Sequence, residues 1–154
     1  VIGMVAGGVW ALAVVWGGQG LSTGVLLLPM VLPVAMVPPG LVLLAMIARL
    51  AQRRFFDDTI IDGEAFAPGS PAWVDQRVLS NTAEQALLAL LLWPLVTYTL
   101  GGGVVLAMGV AFGVSRIAFW VGYHLSPPLR AFGFAATFYT TGLAALWALA
   151  EWIF

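Results

Sequence analysis

The chain has 154 residues, 62% of them apolar, with six basic and seven acidic side chains, so charged residues make up 8%. A soluble domain carries about 25%, and this composition cannot supply the polar surface such a domain needs. A net charge of -1 gives no basic footprint for nucleic acid, and the apolar content excludes disorder. Without cysteine there is no disulfide, thiolate nucleophile or Cys-ligated metal, and a single histidine rules out a histidine-rich metal centre. The composition is that of an integral membrane protein, with room for four or five helical crossings of roughly 20 residues each.

In chain order, residues 1–20 are apolar, uncharged and rich in glycine. They lack the positive n-region and clean cleavage site of a signal peptide. They read as an additional N-terminal transmembrane helix that turns at Gly17, Gly18 and Gly20, with an interfacial or disordered arm as the alternative. Opening on Val1 and not on Met points to a segment of a longer chain. The next span runs from Leu21 to Ile47 and ends in the basic cluster Arg49, Arg53 and Arg54. Pro29, Pro33, Pro38 and Pro39 should kink or interrupt it, leaving residues 40–54 as its firmest part.

Residues 55–76 hold five carboxylates and the turn signals "DG" and "PGSP", and read as a polar loop with a solvated acidic surface. Asp75 is placed to cap the helix that follows. That helix carries "QALLALLLWPLVTYTL" and ends at Gly101–Gly103. The next span is Val104–Tyr123, in which Gly109 and Gly113 form a small-x-x-x-small face for close packing. Pro127 and Pro128 stop it, and the last span runs from Phe132 to Phe154. Arginines flank the 55–76 loop and the 124–131 loop, while the Gly101–Gly103 turn has none, so the positive-inside rule puts both loops in the cytoplasm.

Two charge clusters enter the membrane. Arg77, Asn81 and Glu84 follow at spacings of four and three, on one face of a helix entrance. Arg116 and Tyr123 share a face two turns apart, and Arg130 begins the last helix. A lone guanidinium at Arg116 would cost several kcal/mol, and Glu84 is the expected partner, with Asn81 hydrogen-bonded beside the pair. Arg77 and Arg130 then leave a surplus of positive charge suited to an anionic ligand with polar amides. His124 reads as an interfacial hydrogen-bonding residue.

"RVLSNTAEQ" and "SRIAFWVGYHLSPPLRAFGF" resemble the two signatures of the MAPEG family, the membrane-associated proteins in eicosanoid and glutathione metabolism. "ARLAQRRFF" fits the end of that family's first span. The resemblance implies an all-α membrane protein: a MAPEG-like four-helix transmembrane bundle over residues 21–154, here with one additional N-terminal helix. It further implies a homotrimer binding glutathione as co-substrate between subunits, on the cytoplasmic side. Carried over by motif position, Arg77, Asn81, Glu84 and Gln85, with Arg116 and Tyr123, would bind glutathione, and Arg130 would polarise its thiol as the catalytic residue. Phe119 replaces a frequent Tyr, and Gln85 stands where Tyr or Asn is common. The resulting expectation is a multi-pass, bacterial-type inner-membrane transferase or peroxidase acting on an apolar electrophile or lipid hydroperoxide. A non-catalytic scaffold binding a lipid or small anionic ligand is the alternative. A transporter fits less well, since no inverted repeat is visible and both clusters lie on one side.

Overall fold

In the computed structural model, which describes residues 1–24 and 26–154, six helices follow in order. They are α1 (Ile2–Gln19), α2 (Leu28–Ala35), α3 (Val37–Phe55), α4 (Pro71–Thr99), α5 (Gly102–Leu125) and α6 (Pro127–Ile153). Counting α2 and α3 as one interrupted span, five helical units are long and apolar enough to cross a membrane. Among the described residues there is no strand. The chain is therefore an all-α, multi-pass membrane protein.

The proline-rich span breaks at Met36, between Pro33 inside α2 and Pro38 and Pro39 in the first turn of α3. A first-turn proline costs no helical bond because its missing N–H would be unpaired anyway. The break is packed tightly, because Gly109 of α5 lies against the Ala35 carbonyl and Gly113 against Pro38. The small-residue face of α5 thus serves the interior of the subunit. Gly101, at φ 95, makes the turn from α4 into α5, a conformation that L side chains rarely adopt.

Helix α5 is central and packs against every other helix. Lipid offers no hydrophobic drive between helices, so close approach of small residues and internal hydrogen bonds carry the association. Between α4 and α6, Trp93 Nε1 donates to Thr141 Oγ1 at 3.3 Å. The buried hydroxyls of Thr97, Thr137 and Thr140 donate to carbonyls one turn back in their own helices. Leu87, Leu90, Leu91, Val110, Val114 and Ile117 are exposed, so the outer surface is greasy and the polar groups are inside.

Helix α1 runs along α6, its most extensive partner. Gly3, Gly7, Ala11, Val15 and Gly18 form its buried stripe. A Cβ at Gly7 would collide with the backbone of Ala136 and with Ala135. Because Gly3 meets Pro128 and Phe132 while Gly18 meets Val104, α1 begins at the end of the bundle where α5 passes into α6.

At that same end, two expectations for Asp75 are corrected. Ser70 caps α4, its Oγ accepting from the Trp73 amide at 3.2 Å. Pro71 occupies the first helical turn, so the helix starts well before Asp75 and the loop is shorter, ending at Ser70. Asp75 is then neither a cap nor a solvated loop carboxylate but is 3% exposed. Its Oδ2 accepts from Arg53 Nε of α3 at 2.6 Å, and its Oδ1 from Trp120 Nε1 at 2.7 Å and His124 Nε2 at 2.8 Å, both of α5. An ionised carboxylate only accepts, so Nε2 carries the proton of this contact. One carboxylate joins three helices.

The loop that precedes α4 folds back on α3. Arg54 donates to the carbonyls of Ile60 and Glu64 at 2.8 and 3.2 Å and lies over the Phe66 ring. The Thr59 hydroxyl and amide both donate to Asp57, holding its carboxyl below the usual range.

Asp75→Asn would leave Arg53 beside a neutral amide, and breaking a buried pair costs about 3–5 kcal/mol. The melting temperature of the detergent-solubilised protein should fall by several degrees; no change would show that the junction is not held there. For α1, Gly7→Leu should lower the melting temperature, whereas Gly8→Leu, which points into open space, should not. Equal effects of the two would contradict this seating of α1.

Candidate functional site

Helix α4 has 29 residues, about 44 Å of rise, against a hydrocarbon core of about 30 Å. Its polar first turns can therefore stand in the headgroup zone while the run after Gln85 stays in lipid. Those first turns line a cleft of about 720 Å³ at the arginine-rich end of the bundle, within the roughly 300–1,000 Å³ of small-molecule sites. Its α4 wall holds Gln76, Arg77, Ser80, Asn81 and Glu84. Opposite stand Phe119 and Tyr123 of α5 and Arg130, Ala131 and Phe134 of α6, and α1 adds Met4.

Five residues expected to bind a ligand or act on it, namely Arg77, Asn81, Glu84, Tyr123 and Arg130, are thus brought together around one space. Two are set apart. Gln85 is 5% exposed and does not line the cleft; its Oε1 has no hydrogen-bond partner among the described residues. Arg116 is 0% exposed and lies behind Asn81.

The Glu84–Arg116 ion pair expected from the sequence is not formed. Arg116 Nη2 donates to Asn81 Oδ1 at 3.0 Å, and Asn81 Nδ2 donates to Glu84 Oε2 at 3.3 Å. The amide is a relay: its oxygen faces the cation and its nitrogen faces the carboxylate. Residue 81 lies one turn nearer the start of α4 than residue 84 and so reaches Arg116 first. The remaining Arg116 nitrogens, Nε and Nη1, have no hydrogen-bond partner among the described residues. The guanidinium lies instead over the Phe119 ring, 3.9 Å from its centroid, where the ring's negative face offsets part of its charge.

The other two cations are held in the same manner. Arg77 lies 4.4 Å from the Trp73 ring centroid and Arg130 lies 4.9 Å from that of Tyr123. Neither is in an ion pair among the described residues. Three guanidinium groups therefore surround or back a cleft whose lining has the single carboxylate of Glu84. An anion with several hydrogen-bonding groups matches that charge and donor set.

Beyond Ala131, which adjoins Arg130 in sequence, four lining residues escape a motif-based reading. Gln76 and Ser80 precede Arg77 and Asn81 by one position, and their four-residue step to Glu84 places them on the same face. Phe134 lies one turn beyond Arg130 on α6, so helical spacing from a recognised residue could have found all three. Met4 could not be found this way, since its position depends on how α1 seats on α6.

No curated protein and no solved structure matches the chain. A family model described as the MAPEG family matches residues 26–150. The match spans α2 to all but the end of α6 and contains every cleft residue except Met4; α1 lies outside it. With most of its length matched and a bundle of apolar helices around a polar cleft, the chain belongs to the MAPEG family, a family associated with eicosanoid and glutathione metabolism.

Proposed function

We propose that the cleft binds glutathione and that the protein is a glutathione-dependent membrane transferase or peroxidase. The carrying observation is the gathering of Arg77, Asn81, Glu84, Tyr123 and Arg130 from three helices around a space of ligand size. Glutathione is a tripeptide with two carboxylates, an ammonium group, amides and a thiol. Guanidinium forks suit its carboxylates, Glu84 suits its ammonium group, and the amide-bearing Asn81 suits its peptide groups. Arg116 holds Asn81 from behind and so fixes which way that amide points.

Arg130 is the residue assigned to the thiol. A cysteine thiol titrates near about 8.5, and an adjacent guanidinium favours the thiolate, the nucleophilic form. The second substrate is an apolar electrophile or a lipid hydroperoxide. In support, an almost wholly apolar cavity of about 400 Å³ lies between Leu88, Leu92 and Leu95 of α4 and Phe138, Leu146 and Leu149 of α6. Phe134, on the cleft, stacks on Phe138, at the cavity, with centroids 5.8 Å apart and planes 15° apart. The cavity thus begins one helical turn along α6 from the cleft, which supports a lipid-side approach of the second substrate to the thiol. A homotrimer, an arginine-rich end facing the cytoplasm and a bacterial inner-membrane location belong to the same proposal.

Calorimetric titration of the detergent-solubilised protein with glutathione should show binding, and an aryl halide should be conjugated. Arg130→Ala should keep the binding and lose turnover by about a hundredfold, the scale on which removing one transition-state donor acts. Binding with no turnover in the unmodified protein would leave a ligand-binding scaffold. Absence of binding would remove the glutathione assignment altogether.

A further inference from the structure

Successive helical residues are about 100° apart, so Asp75 projects from α4 on nearly the opposite side to Arg77 of the cleft. There it forms the floor of a second pocket, about 360 Å³, between α3 and α5. Arg49 and Arg53 line one wall, four residues apart on one face of α3. Trp120 and His124, likewise four apart, line the other, with Val121 and Leu125 at the edge. This pocket is separate from the proposed glutathione site and does not depend on it.

We infer that this pocket holds the phosphate headgroup of an anionic phospholipid, seated between Arg49 and Arg53 with its acyl chains along the α3–α5 groove. The floor carboxylate does not repel such a ligand, because Asp75 already accepts from Arg53, Trp120 and His124. Arg53 balances that charge using Nε, and Arg49 bonds Gln52 through Nη1 at 2.7 Å. The terminal amino groups of Arg53 and the remaining edge of Arg49 are the donors for phosphate oxygens, which guanidinium forks match bidentately. With Asp75 and Arg53 cancelling, Arg49 gives the pocket a net positive charge, which favours an anionic headgroup over a zwitterionic one.

The surroundings select a lipid over a free phosphate ion. Leu125 is 78% exposed and Val121 40%, and further along the same face of α5 Val114 and Ile117 are exposed as well. That is an apolar track leading away from the cations. The indole of Trp120 hydrogen-bonds at the polar end of the track, the level that tryptophan occupies at membrane interfaces. Basic pockets between helices at an anionic leaflet are sites of this kind.

The test is native mass spectrometry of the full chain released from micelles containing equal phosphatidylglycerol and phosphatidylcholine. Phosphatidylglycerol should be retained preferentially. Arg49→Gln should reduce that preference about fivefold, the worth of one arginine at an anionic surface, while the melting temperature stays unchanged, because Arg49 bonds only the exposed Gln52. Arg49→Lys, which keeps the charge but not the fork, should fall between. Equal retention of the two lipids, or an undiminished preference in Arg49→Gln, would overturn the inference. Displacement of the lipid by inorganic phosphate would assign the pocket to a free anion and overturn it too. The readout needs no glutathione, so it stands or falls apart from the cleft.

Discussion

A guanidinium enclosed among lipid-embedded helices has to be met by partners, and the arrangement of this protein's arginine-rich end follows from how Arg116 is met. It has 0% exposure, sits about 14 Å from the end of α5, and among the described residues has one side-chain hydrogen bond, to Asn81. Bonding through an amide keeps Glu84 one step away, so the carboxylate stays exposed at the cleft while still bonded to Asn81 Nδ2. A direct Glu84–Arg116 pair would have consumed the one acidic group that lines the cleft among the described residues. The same contact ties α4 to α5, and with Phe119 beneath the cation it builds the back wall of the cleft.

Asp75 is the counterpart on the other side of α4. One helix thus presents two buried polar junctions, with Asn81 toward the cleft and Asp75 toward the α3–α5 pocket. Both sit in the first half of α4, and beyond Glu84 that helix is apolar on its outer face. The buried polar contacts between helices are therefore concentrated at the end of the bundle that holds the cleft. Small-residue contacts such as Gly109 on Ala35 and Gly7 on Ala135 hold the rest together.

The spans were legible because a lipid-facing helix needs a long uncharged run, and the gaps between such runs are few. The cleft face was legible as well, since Arg77, Asn81 and Glu84 share a helical side whatever the helix packs against. What could not be read was which polar groups on different helices come within hydrogen-bond reach. Asp75 looks like a cap when only its neighbours in sequence are considered, but Arg53 and His124 reach it from positions 22 before and 49 after. The relay through Asn81 is a matter of one helical turn in the relative height of α4 and α5, and hydropathy does not report that height. The break at Met36 was expected from the prolines, though its closure by Gly109 and Gly113 was not.

The central claim is that the space between Arg77 and Arg130 is a glutathione site. The most direct measurement is a cryo-electron microscopy or crystallographic map of the protein with glutathione added. The account predicts density of tripeptide size bounded by Arg77, Asn81, Glu84 and Arg130, with its sulfur toward Arg130. Lipid density in that cleft, or a tripeptide bound elsewhere on the molecule, would contradict it.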